Sequence, residues 1–213
     1  MHVGLIIDIL PFALASAVSP LIFTIATLVA SQKKAANVKS ALFTLGAATA
    51  ITIIGFIIFF LLSRVSPGST YTLTDARIDL LLGVFLIGFA LYQFFVAKPK
   101  KHHTKRVISE GGAFSVGFGF MILNTSTIIM YVPAAHVASY YSTFVKIELL
   151  IVMVLFSLIP AIVPPILLAL IHSPKRINAI KNSVNKNSRY IIAAIFGIIG
   201  IFELIKAIQF IIK

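Results

Sequence analysis

Residues 16–24 read SAVSPLIFT, and residues 121–129 read MILNTSTII. Each lies near the middle of a long apolar stretch. Each puts a helix-capping residue where a membrane helix should run unbroken. Pro20 cannot donate a backbone hydrogen bond, and its ring strains the turn that would reach Ser16. Ser19-Pro20 is also the signature of a helix start, with Ser as N-cap and Pro at the first helical position. Asn124 is a strong N-cap, and Thr125, Ser126 and Thr127 can satisfy backbone groups that a break sets free. Hydrocarbon offers such groups no partner, so a break there needs a reason.

The surrounding composition identifies the solvent as lipid. Hydrophobic residues make up 59% of the 213-residue chain and charged residues 11%, where a soluble domain is nearer half and a quarter. Mean hydropathy is +1.05. Residues 40–63, 80–97, 112–135 and 149–171 contain no Asp, Glu, Lys or Arg. Residues 5–31 contain only Asp8, and residues 190–212 only Glu203 and Lys206. Each segment is long enough to span a bilayer. The expected fold class is therefore an all-α integral membrane protein of six transmembrane helices. The first span is too long for a signal-peptide core and is read as retained. The absence of cysteine excludes disulfides, thiolate metal sites and dithiol redox pairs.

The net charge of +12 suggests a nucleic-acid partner until its distribution is read. Of the 18 basic residues, 13 fall between spans one and two, three and four, or five and six. Arg64, Arg77 and Lys146 fall on the other side, and Lys206 and Lys213 in or after the last span. Short basic loops stay cytoplasmic, so both termini are expected outside a cell (cytoplasmic) membrane crossed many times. The run KPKKHHTKR then reads as a topology anchor meeting anionic lipid, with membrane lipids and no nucleic acid as its partners. The outer loop has turn formers at Pro67 and Gly68 and a cap at Thr74. A short interfacial helix is expected from Pro174, capped by Ser173.

An odd number of crossings separates span one from span four, so they run in opposite directions. Helix starts in the middle of each would bring two N-termini toward the midplane from opposite faces. Each N-terminus carries roughly half a positive charge and several free N–H groups. Discontinuous helices meeting across an inverted repeat are how many secondary transporters build a substrate site. The expected organisation is a first three-helix repeat at 1–97, a basic linker at 98–111 and a second repeat at 112–213. The expected substrate-binding residues are Ser16, Ser19, Pro20, Asn124, Thr125 and Ser126. The alternative is a proline kink with ordinary polar packing.

Four stretches carry a likeness to a known family. They are LPFALASAVSPLIFTIATLVASQKKAANVKSALFTLG, GGAFSVGFGFMILNTSTIIMYVPAAH, SLIPAIVPPILLALI and NSRYIIAAIFGIIGIFELIKAI. Together they cover about half the chain, in the expected order. With them the chain resembles the GAP family of glycolipid- or sulfolipid-addressing, Sap-like membrane proteins within the lysine-exporter (LysE) superfamily. The resemblance implies export or cell-surface placement of lipids or other solutes. Superfamily relatives export amino acids or metal ions. The family pattern has Asn-Pro in the fourth span where this chain has Asn124-Thr125, which leaves the second half-helix start less defined.

Ionisable residues inside spans are functional candidates by default. Glu203 sits near the middle of the last span, with Lys206 one turn on to pair with it or snorkel outward. Glu203 is either a proton-coupling carboxylate or half of a packing ion pair. Asp8 is the second coupling candidate, or an interfacial anchor. His136, at the outer end of span four, is a packing residue that can titrate. Pro160, Pro164 and Pro165 in span five mark a hinge or a static kink. Small residues at Ala113, Ser115, Gly117, Gly119, Ala193, Gly197 and Gly200 allow close contact, within one chain or across a homodimer.

Rival classes lack their chemistry. A divalent-cation exporter wants several carboxylates at membrane depth. An enzyme needs a nucleophile with its base or paired acids, and Ser16, Ser19 and His136 form no such set. No enzyme activity, metal or cofactor is expected. The expected function is a secondary transporter that exports a lipid-like or small anionic organic solute by alternating access, with proton coupling through Glu203. A non-transporting assembly protein is the alternative, and an amino-acid or ion exporter the third choice.

Overall fold

The computed structural model describes residues 3–32, 34–62, 71–96, 108–171 and 174–212. The basic run at 98–107, the Pro67-Gly68 turn and Ser173 lie outside them. Among the described residues every regular element is a helix. They are α1 (Val3–Ser16), α2 (Pro20–Ala30), α3 (Ala36–Leu62), α4 (Leu73–Phe95), α5 (Glu110–Ile122), α6 (Thr125–Ala138), α7 (Thr143–Leu170) and α8 (Pro174–Ile211).

Four helices are long and apolar enough to cross a membrane: α3, α4, α7 and the Arg189–Ile211 part of α8. Two bent helix pairs are apolar enough to add two more, if each pair crosses as one span. The chain turns by 49° between α1 and α2 and by 58° between α5 and α6. Large apolar side chains such as Leu81, Phe95, Leu155 and Ile198 face outward, which suits lipid and not water. The protein is thus a multi-pass membrane protein of four to six spanning helices.

Two local expectations change. The cap of α4 is Thr72, not Thr74. Thr72 and Asp75 form a reciprocal capping box, with Thr72 Oγ1 and its backbone N–H both bonded to Asp75 Oδ2 at 2.6 and 2.7 Å. The helix therefore starts two turns before Asp79, and α4 carries a buried acid. Pro174 starts no separate interfacial helix. It opens α8, whose 38 residues run unbroken for about 57 Å, well beyond the hydrocarbon thickness.

The three prolines of α7 do not interrupt it, although each removes one ladder bond. Pro160 and Pro164 are buried. Two pairs of helices approach so closely that only glycine fits. A Cβ on Gly46 would meet the Phe114 carbonyl oxygen at 2.1 Å, and one on Gly117 would meet that of Phe43 at 2.0 Å. These reciprocal contacts lock α3 to α5. Gly83 and Gly200 play the same part between α4 and α8, where a Cβ on either would lie 2.9–3.0 Å from the other's carbonyl oxygen. Gly119 and Gly197 are not pinched in this way: nothing lies within 4 Å of a Cβ at Gly119, and Gly197 has ordinary contact at 3.8 Å. The α4–α8 seam is lengthened by ring contacts, Phe89 on Phe196 and Phe94 on Tyr190.

Candidate functional site

The break between α1 and α2 follows from its sequence. Pro20 has no N–H, so the carbonyl of Ser16 loses the partner it would have four residues on. Ser19 is extended (φ −126°, ψ 96°), and its Oγ accepts from the Ile22 N–H at 3.3 Å. The N-terminus of α2 is thus capped by its own serine, as the sequence indicates. The break between α5 and α6 works differently. Asn124 occupies the cap position, but its side chain makes no cap bond. Its Nδ2 donates instead to Thr127 Oγ1 at 2.6 Å, and its Oδ1 accepts from Ser126 Oγ at 3.1 Å.

The two breaks meet. Thr127 Oγ1 donates to the Ser16 carbonyl at 3.1 Å, across 111 positions of sequence. One break supplies the hydrogen that the proline of the other removed. Ser16 Oγ donates to the Ala13 carbonyl at 2.7 Å and stands 3.0 Å from Ser157 Oγ on α7. Tyr131 closes the chain, with its hydroxyl 3.0 Å from Ser157 Oγ. Ser16, Ser19, Asn124, Thr127, Tyr131 and Ser157 are all buried, at 0–3% exposure. Among the substrate-binding candidates, Ser16 and Asn124 are therefore brought together through Thr127. Ser126 joins through Asn124. Thr125 is exposed and stands outside the cluster.

A second polar region lies at the end of the bundle where α1 and α4 begin and α6 and α8 finish. Here a cavity of about 640 Å³ is lined by Asp8, Pro11, Phe12, Tyr71, Val137, Tyr140, Tyr141, Phe202, Glu203 and Lys206. Both proton-coupling candidates, Asp8 and Glu203, are in its wall. Phe12 is one helical turn from Ser16, so the cavity and the crossing share helix α1.

Behind this wall sits Asp79, which is fully buried. Its Oδ2 accepts from the Tyr71 hydroxyl at 2.6 Å and pairs with Lys206 Nζ at 2.9 Å. Its Oδ1 is 3.0 Å from His136 Nε2, an ion-pair distance without hydrogen-bond alignment. Lys206 thus pairs with Asp79, and Glu203 Oε2 is 3.9 Å from it. Lys206 Nζ also lies 5.1 Å from the Tyr71 ring centroid, within cation–π range. Glu203 is 2% exposed, and its Oε2 has no hydrogen-bond partner. Burial, then the bond to Asp79, raise the Tyr71 phenol above the ordinary tyrosine range, so it remains a neutral donor. Burial and the neighbouring Asp75 do the same for Tyr140. Among the described residues no group of three or more His, Cys, Asp or Glu could hold a metal ion.

The sequence offers Lys206 as a partner of Glu203 or as a cation snorkelling outward, and Glu203 as the only acid deep in a span. Asp79 was missed because it stands one residue before the charge-free stretch at 80–97. The Thr72–Asp75 spacing was the signal that would have found it, since a capping box there draws Asp79 into the helix. Thr127 was recognised as a residue able to satisfy a freed group. Ser157 and Tyr131 carry no local signal for their part in the crossing.

No curated protein and no solved structure matches the chain. The family described as "SfLAP: Sap, sulfolipid-1-addressing protein" matches residues 9–209, which takes in both breaks, the buried charge cluster and the cavity wall apart from Asp8. With nearly its whole length matched, the chain belongs to the Sap, sulfolipid-1-addressing protein family.

Proposed function

We propose that the chain is a secondary transporter that moves a lipid-like cargo outward by alternating access between two inverted three-helix repeats. The family's name refers to sulfolipid addressing, which agrees with an amphipathic, anionic cargo. A small organic anion is the second choice. The observation that carries the reading is the Thr127–Ser16 hydrogen bond, which joins two broken helices at their breaks.

The helix contacts support a repeat. α3 packs on α5 and α6, and its counterpart α7 packs on α1 and α2. α4 packs on its own counterpart, α8. A cavity on one side of a sealed crossing is one half of an alternating cycle. In the other half the breaks separate, and the N–H groups of α2 and α6 are released to an anionic head group. Ser16, Ser19, Asn124 and Ser126 line that path, and the prolines of α7 soften the helix against which α2 moves. Protonation of Glu203, beside Lys206, Asp79 and His136, couples the movement to a proton gradient, with Asp8 at the mouth. Both termini face outward.

The test is flux in reconstituted vesicles, with a fluorescent sulfated glycolipid and a small organic anion as cargoes. Pro20→Ala and Asn124→Leu should each slow flux about tenfold, the equivalent of one good hydrogen bond, while lowering thermal stability less. Glu203→Gln should abolish the dependence of flux on a pH gradient. A folded wild-type protein that moves neither cargo is an assembly protein and not a transporter.

A further inference from the structure

The two buried acids beside the cavity are served very unequally. Asp79 takes a hydroxyl, an ammonium and an imidazole. Glu203 takes no hydrogen bond at Oε2, although it is 2% exposed and in the cavity wall. The cation nearest to it, Lys206, is 3.9 Å from Oε2 but closer to Asp79, at 2.9 Å, and lies over the face of Tyr71. Asp8, across the cavity, is exposed and adds a second negative charge. The cavity therefore presents more negative charge than its own cation offsets. A buried carboxylate oxygen with no hydrogen bond and only a 3.9 Å ion pair is poorly compensated, so the wall favours any ligand that brings a donor.

The rest of the lining says what else that ligand carries. Phe12, Phe202, Tyr71, Tyr140 and Tyr141 give apolar and aromatic surface. About 640 Å³ is the size of a small-molecule site, far larger than a single hydrated ion needs. Aromatic faces attract a cation and bury an apolar body at once. We infer that the cavity is a binding site for an amphipathic ammonium compound, with its apolar body on the aromatic rings and its cationic head on the Glu203 carboxylate. The head group of an aminolipid and a soluble organic amine share this chemistry. The inference goes beyond the transport reading, since this ligand is cationic and the cargo proposed above is anionic, and it is tested by binding alone.

Adamantylammonium and adamantane carboxylate are matched in shape and opposite in charge. Calorimetry on the full chain in nonionic detergent should show the cation binding more tightly by at least about tenfold, and Glu203→Gln should weaken it about ten- to hundredfold. Asp8→Asn, at an exposed position, should weaken it about twofold or less. Equal binding of the anion, or unchanged binding of the cation to Glu203→Gln, overturns the site. If Glu203→Gln does not fold, Val137→Phe serves instead. It fills the cavity without touching the carboxylate, and undiminished binding to it also overturns the site. Competition by phosphatidylethanolamine but not phosphatidylglycerol in nanodiscs assigns the seat to a lipid head group. Competition by neither assigns it to soluble amines. Binding without flux keeps the site and sinks the transporter; flux without binding does the reverse.

Discussion

The crossing of the helix breaks and the charge cluster at the cavity are both polar and both deep in apolar surroundings, yet their accounts close differently. At the crossing, the groups exposed by the break find partners. Ser16 O takes Thr127, Ile22 N takes Ser19, and the Asn124 amide bonds on both sides. These are neutral hydrogen bonds, each worth about 1 kcal/mol net, and they can exchange without moving charge. At the cavity, one carboxylate has a hydroxyl, an ammonium and an imidazole within 3.0 Å, and its neighbour has no hydrogen bond at Oε2 and only a long ion pair with Lys206 at 3.9 Å. A satisfied neutral junction suits a contact that parts and re-forms. An unsatisfied acid beside open space suits an exchange of protons or ligands. Polarity inside a membrane protein therefore does not by itself mark a binding site; incomplete satisfaction beside a cavity does.

The largest test of this contrast removes the over-served acid. Asp79→Asn leaves Lys206, His136 and Tyr71 with no carboxylate between them. It should lower stability by about 3 kcal/mol, the lower end for breaking a buried pair, because Lys206 can turn toward solvent. Thermal or denaturant unfolding in detergent reads this directly. A loss below about 1 kcal/mol would mean the cluster is not held by Asp79.

A smaller effect is expected at the crossing. Thr127→Val keeps the shape but strips the donor from Ser16 O and the acceptor from Asn124, at a cost of about 1–3 kcal/mol. Pro20→Ala restores a backbone N–H that can reach Ser16 O. In that background the cost of Thr127→Val should fall by about half or more, an interaction that a double-mutant cycle measures. Strict additivity would show that the threonine does not substitute for the missing proline donor.

The smallest effect is expected at Glu203. Glu203→Gln removes a charge that no hydrogen bond supports at Oε2, so stability should change by less than about 1 kcal/mol in either direction. A loss matching that of Asp79→Asn would erase the contrast and make Glu203 a structural partner of Lys206.

The chain's own letters were enough for what is local. Apolar length determines the spans, since hydrocarbon thickness sets the length of helix it accepts. Ser19-Pro20 determines the first break, because a missing N–H and a neighbouring cap act within one turn. The alternation of basic loops carries the expected orientation, and the ordered motifs were enough to suggest the family. The reach of α4 was also legible, in Thr72 and Asp75, but a charge-free window hid it by starting one residue too late. What only the tertiary structure decided is pairing. Ser16 meets Thr127, Lys206 chooses Asp79 over Glu203, and Gly46 and Gly117 bring α3 against α5. Each of these depends on where two distant helices cross. Residue spacing along one helix constrains neighbours three and four apart, and carries no information on which other helix stands across from them.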